Sequence, residues 1–98
     1  MKHVAVIILN WNGKHWLESF LNLVVERSPG ARVIVADNGS SDNSQSWVAA
    51  NAPSVEWLGL GSNHGYAGGY NRALSEIKDV RYAVLMNSDI EPLEGWLA

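Results

Sequence analysis

Short apolar runs rich in β-branched residues recur along this chain with room for one helix between each pair. Val4 to Leu9 and Arg32 to Asp37 are almost unbroken, the pattern of strands covered on both faces, and Tyr82 to Met86 repeats it. Val55 to Leu60 alternates more and suits a sheet edge. Strands that alternate with helices pair in parallel through right-handed crossovers, so the chain reads as α/β: a mostly parallel open sheet of about four strands flanked by helices.

The intervening segments carry helical spacing. Trp16, Phe20 and Val24 stand at i, i+4 and i+8, beside Leu17 and Leu21, with Asn12 as N-cap and Pro29-Gly30 as the stop. Asp42 followed by Gln45 has the form of a capping box opening a short helix through Trp47 and Val48 that ends before Pro53. Tyr66, Tyr70, Ala73 and Ile77 give a third stripe. After the fourth strand, Pro92 could open a helix carrying Leu93, Trp96 and Leu97, which the chain leaves after one turn. That ending reads either as a truncation or as a short packed tail.

A chain of 98 residues supports one domain, and one of this size buries about two-thirds of its unfolded surface. With 47% hydrophobic and 17% charged residues it reads as globular rather than disordered. The net charge of −3 provides no general attraction for nucleic acid or an anionic membrane, although a few local groups suffice for a small anion. The absence of cysteine excludes disulfides and thiolate metal sites. The first apolar run is too short for a signal peptide or a membrane span, and Glu18, Ser19 and Asn22 interrupt the other. A soluble, cytoplasmic protein is expected.

In an open parallel sheet, ligands bind beyond the carboxyl ends of the strands. The loops there are Asn10–Gly13, Asp37–Asp42, Gly61–Gly69 and Asn87–Glu91, all rich in Asn, Asp, Ser and Gly, whereas the opposite connections are ordinary turns. Asp37, at a buried strand tip, can accept hydrogen bonds from a ribose or a base N–H; as an Asx-turn before Asn38-Gly39 it would be structural, and the two readings stand equal. Gly65, Gly68 and Gly69 open the third helix, where they allow backbone N–H groups to approach an anion or the helix to pack closely on the sheet. Asn71 and Arg72 follow in its first turns, and Arg72 could meet phosphate or water. His64 reads as a solvated loop residue; His3 and His15 have no informative context. Asp89 and Glu91 could hold Mg²⁺ or Mn²⁺ together with phosphate oxygens, though Glu91 before Pro92 is also a natural helix start.

Three familiar nucleotide or phosphate folds do not fit. The loop after the first strand is Asn-Trp-Asn-Gly rather than G-x-G-x-x-G, Gly13-Lys14 lacks the rest of a P-loop, and Asn10 and Gly61 stand where a receiver domain needs acids.

Four blocks together resemble the inverting glycosyltransferase family 2, with its nucleotide-diphospho-sugar (GT-A) fold, and especially its rhamnosyltransferase-like members. They are Val6–Gly13 (VIILNWNG), Val35–Asp42 (VADNGSSD), Asn63–Asn71 (NHGYAGGYN) and Leu85–Asp89 (LMNSD), in order across essentially the whole chain. The resemblance implies a donor site of Asn10, Trp11, Asp37, Asn38, Gly65, Gly68, Asn71 and Ser88. Trp11 would stack on a uracil-type base, Asp37 would hydrogen-bond it, and Asp89 would hold the divalent metal on the diphosphate. Asn87 replaces the first acid of the family's D-x-D-like motif.

The family's reaction is a single displacement at the anomeric carbon with inversion. A general base activates the acceptor hydroxyl, and in family members it lies after the segment present here. The chain is therefore expected to be the donor-binding part (residues 1–98) of a hexosyl- or rhamnosyltransferase, inactive alone. It would use a UDP- or dTDP-sugar and a glycan or lipid-linked acceptor, at the cytoplasmic face of a membrane in the full-length enzyme. Exposed apolar surface would favour self-association. A nucleotide-binding module without catalysis is the alternative, and an NAD-binding oxidoreductase a distant third.

Overall fold

The computed structural model describes residues 4–87. Its elements alternate strictly: β1 (Val4–Asn10), α1 (Lys14–Glu26), β2 (Arg32–Asp37), α2 (Ser44–Asn51), β3 (Glu56–Gly59), α3 (Tyr66–Glu76) and β4 (Tyr82–Asn87). The strands form one all-parallel sheet in the order β3-β2-β1-β4. This is the expected architecture, with the alternating third run at one edge; the fourth run, expected to be covered on both faces, instead forms the other edge of the described sheet and is mostly exposed.

Strand alternation divides the core into two layers. On one face Val6, Ile8, Val33, Val35 and Met86 pack against Leu17, Leu21 and Val24 of α1 and Val48 of α2. On the other, Ala5, Ile7, Ile34 and Ala36 pack against Tyr70 and Ala73 of α3. Each fully buried aliphatic side chain contributes about 1.5–3 kcal/mol, so the two central strands dominate the core. Gly69 lets α3 approach closely: a Cβ there would lie 2.8 Å from Leu9 Cδ1 and 3.0 Å from Asn38 Nδ2.

Two local expectations are corrected. The inward face of α1 is Leu17, Leu21 and Val24, while Trp16 is 39% exposed and Phe20 half-buried. The N-caps also differ. Gly13 caps α1, and Asn12 adopts a left-handed conformation with φ 50°. At α2, Asn43 is the N-cap, and no Asp42–Gln45 box forms. Asp42 instead accepts from Ser44 N–H and the Ser44 hydroxyl and, across the fold, from Lys14 N–H at 3.0 Å. One carboxylate thus serves the starts of two helices.

From β1 the chain moves outward to β2 and β3, then returns through α3 to the far side of β1. The reversal opens a crevice at the carboxyl ends of β1 and β4, the topological switch point where such sheets bind ligands.

Candidate functional site

A cleft of about 450 Å³ lies at that switch point. Leu9, Trp11, Asn12 and Gly13 from β1 and its loop form one side, joined by Trp16 from the first turn of α1. Asn38 from the tip of β2, Asn63, Gly65 and Tyr66 from the α3 entrance, and Asn87 at the end of β4 complete it. Trp11 and Tyr66 are 56% and 64% exposed, so two large aromatic faces stand open beside the cleft. Trp16 is backed by Phe20, with the rings stacked at 6.0 Å. An aromatic-walled cleft with convergent amides suits a planar, polar ligand such as a nucleobase.

The far wall is rigidly built. The Tyr66 hydroxyl donates to Asn87 Oδ1 at 2.9 Å, and the buried Tyr70 hydroxyl donates to the Met86 carbonyl at 2.7 Å. Burial pushes the Tyr70 phenol up to about 12, so it remains a neutral donor across the physiological range. Asn38, almost fully buried, holds the α3 entrance: Nδ2 donates to Gly65 O at 3.1 Å and Asn63 Oδ1 at 3.3 Å, and Oδ1 accepts from His64 N at 2.9 Å. Gly65 caps α3 at φ 76°. His64 is not simply solvated, since its Nε2 lies 2.9 Å from the Leu60 carbonyl.

Strand alternation separates the adjacent residues Asp37 and Asn38. Asn38 belongs to the cleft on the α3 side. Asp37 continues the row of Val33 and Val35 on the α1/α2 side, where it lines a polar depression of about 190 Å³ beside Trp57. Asp37 is 8% exposed, and its carboxylate accepts three hydrogen bonds: Asn10 Nδ2 at 3.0 Å and Ser40 Oγ at 2.5 Å to Oδ1, and Ser40 N at 3.0 Å to Oδ2. A carboxylate offers about four lone-pair sites, so Asp37 retains capacity for one further donor. Asn10 is fully buried, and its Oδ1 has no hydrogen-bond partner among the described residues.

The structure therefore brings Trp11, Asn38 and Gly65 together in the cleft and puts Asn10 and Asp37 at the neighbouring strand tips. Gly68 and Asn71 lie exposed on α3, outside the cleft lining. Ser88, Asp89 and Glu91 lie outside the described residues. No cluster of three His, Asp or Glu side chains suited to a metal occurs among the described residues. The described cleft wall contains no carboxylate. No helix of the described residues is long and apolar enough to cross a membrane.

Sequence reasoning missed Trp16 and Ser40 as parts of the site. Helical spacing puts Trp16 in a stripe without telling which of two adjacent apolar rows faces the sheet, whereas Tyr66 shares the inward row of Tyr70 and Ala73 and stands exposed as the first residue of α3. The roles of Ser40 depend on residues almost thirty positions away, which local patterns do not register.

Residues 5–98 match the family model described as glycosyl transferase family 2. The low-salt glycan biosynthesis hexosyltransferase Agl10 of Haloferax volcanii is 32% identical over 91 residues, 90% of this chain and 28% of that protein. The chain thus spans under a third of the length of this curated relative. Among solved structures, S. aureus TarS 1-349 in complex with UDP-GlcNAc superposes with a TM-score of 0.75 at 22% identity, covering 91% of this chain and 27% of that one. The mannosyltransferase PcManGT of Pyrobaculum calidifontis, in complex with GDP-Man and Mn²⁺, gives 0.71 at 23%, over 89% of this chain and 27% of that one. These likenesses establish the fold.

Proposed function

The chain belongs to glycosyl transferase family 2, and from that premise we propose that it is the donor-binding part of an inverting hexosyl- or rhamnosyltransferase using a UDP- or dTDP-sugar. The observation that carries this reading is the aromatic-walled cleft at the switch point, with the Asp37 carboxylate at the adjoining strand tip. Trp11 stacks on the base and Asp37 accepts from its N–H. The start of α3, with no side-chain cap, offers backbone N–H groups to the diphosphate. The neighbours' complexes with UDP-GlcNAc and with GDP-Man support a nucleotide-sugar donor.

The remaining capacity of Asp37 favours the base identity. One free acceptor site suits uracil or thymine, which present a single N–H between two carbonyls. Guanine presents two adjacent donors and would leave one unmatched, a costly arrangement when desolvated.

A divalent cation, Mg²⁺ or Mn²⁺, would be held through Asp89 and would offset charge developing on the leaving diphosphate. Sugar transfer to a glycan or lipid-linked acceptor, at the cytoplasmic face of a membrane, belongs to the full-length protein. The 98 residues alone are expected to be inactive, because Asp37 is committed to the nucleotide, Asp89 to the metal, and His64 to the Leu60 carbonyl.

Calorimetric titration of the full-length protein with UDP, dTDP and GDP, with and without Mn²⁺, tests the reading. Preference for UDP or dTDP, weakened in Trp11→Ala, is expected. Equal affinity of wild type and Trp11→Ala would remove the base-stacking assignment, and nucleotide binding without transfer to any acceptor would favour the non-catalytic module. Asp89→Asn should abolish the metal-dependent part of binding alone.

A further inference from the structure

Trp11 is more than half exposed, so packing does little to aim its ring. Its direction is set by its backbone, and that backbone is held from the loop after β2. We propose that Ser40 is the positioning residue for the Trp11 wall, acting through the Trp11–Asn12 peptide without touching the ligand. This inference rests on the donor-binding reading above.

A serine hydroxyl offers one donor and two acceptor sites. In Ser40 all three are used. Oγ donates to Asp37 Oδ1 at 2.5 Å and accepts from Asn10 Nδ2 at 3.2 Å and from Asn12 N at 2.8 Å. With nothing left to offer a nucleotide, its influence on binding must be indirect.

The Asn12 N–H belongs to the peptide that leaves Trp11, so the 2.8 Å bond fixes the plane immediately beyond the ring's own Cα. Asn12 then turns left-handed at φ 50°, an uncommon state for a residue with a side chain. Two bonds from the β2–α2 loop sustain that turn: Ser40 Oγ with Asn12 N, and Ser41 N donating to Asn12 Oδ1 at 2.8 Å. The same hydroxyl steadies Asn10 and Asp37, so one side chain locks the β1 tip, the base-pairing acid and the aromatic wall into one arrangement.

The test is UDP binding by the full-length protein in a double-mutant cycle of Ser40→Ala and Trp11→Ala, with Ser40→Thr as the hydroxyl-retaining control. Several hydrogen bonds are lost in Ser40→Ala, and a loss of affinity on the order of tenfold is expected. Because Ser40 acts largely through Trp11, Ser40→Ala should cost clearly less affinity in the Trp11→Ala background than in wild type, the remainder reflecting its hold on Asp37. Ser40→Thr should restore most of the affinity. In amide exchange, the Asn12 N–H should be protected in wild type and Ser40→Thr and exchange faster in Ser40→Ala. If Ser40→Ala does not fold, Ser40→Cys carries the same comparison, since a thiol is a weak acceptor. Unchanged affinity in Ser40→Ala while Trp11→Ala weakens binding overturns the inference and leaves the donor reading intact. Fully additive losses overturn it too, by showing that Ser40 acts elsewhere. No loss in Trp11→Ala removes the stacking assignment and this inference together.

Discussion

Three glycines near the strand tips separate two physical effects that a single alanine substitution usually mixes. Gly39 has φ +87°, and a Cβ there would lie 3.0 Å from both the carbonyl carbon and Cα of Ser62. Gly61 has φ +86° with nothing within 4 Å of an added Cβ, and Gly59 has neither the strained angle nor a near neighbour. A left-handed conformation costs an alanine about 1–2 kcal/mol, so Gly61→Ala should lose roughly that. Gly39→Ala adds overpacking against backbone, which cannot rotate away, at about 1–3 kcal/mol. Its total is about 2–5 kcal/mol, a large part of the roughly 5–15 kcal/mol that holds a domain together. Gly59→Ala should be neutral within about 0.5 kcal/mol. Urea denaturation of the three variants measures these differences, provided the slopes of free energy against denaturant stay equal. A Gly39→Ala loss no larger than that of Gly61→Ala would refute the close approach of the β2 and β3 loops.

Asp42 should make stability depend on acid. Burial raises its pKa, but the bonds from the Ser44 hydroxyl and the Lys14 and Ser44 N–H groups outweigh burial and hold it below the ordinary aspartate value. A depressed folded pKa means that the stabilisation is complete above the usual aspartate range and is lost as pH falls through the folded value. Asp42→Ala should remove this acid-range component and cost about 1.5–3 kcal/mol, the range for hydrogen bonds to a charged group; denaturation curves at several pH values test both. Asp37→Ala should weaken UDP binding by roughly 1.5–3 kcal/mol, one charged hydrogen bond, and calorimetry on the folded variant would show no change if the assignment is wrong. The 98-residue chain produced alone should self-associate, because β4 forms the outer edge of the described sheet with Tyr82 and Leu85 exposed. A concentration-independent monomer in analytical ultracentrifugation would contradict this.

The fold was legible because the central strands, buried on both faces, write themselves into sequence as continuous apolar runs, whereas Tyr82–Asn87 carries a similar run at the mostly exposed edge of the described sheet. Val4–Asn10 and Tyr82–Asn87 each extend one residue beyond the run that signalled them, because the final Asn still pairs in the ladder or ends it. Glu56–Gly59 is shorter than Val55–Leu60, since its ladder with β2 spans only those four residues. Helix faces were less legible. Trp16, Phe20 and Val24 share one row, Leu17 and Leu21 the next, and rows about 100° apart give the same spacing. Only the sheet decides between them. The caps failed for a different reason: Asp42 reaches Lys14 across 28 positions, whereas capping rules read three or four. Asp37 shows the same limit. Its turn reading and its ligand reading stood equal in sequence, and the structure makes room for both by using three acceptor sites internally and leaving one.

That division constrains how a nucleotide can lie. Consecutive strand residues face opposite sides, so no ligand confined to one face of the sheet can meet both the Asn38 side chain and the Asp37 carboxylate. One that stacks on Trp11 and also reaches Asp37 must sit above the strand ends, spanning the crest between the cleft and the depression beside Trp57. The crest is where Ser40 ties Asn12 to Asp37 and where Asn10 faces Asp37 across the β1–β2 ladder. Its rigidity therefore decides recognition: a shift of the β1 loop would move the stacking wall while Asp37, anchored in β2, stayed in place. The short polar residues after β1 and β2 are suited to that task, because they hydrogen-bond one another across the two loops.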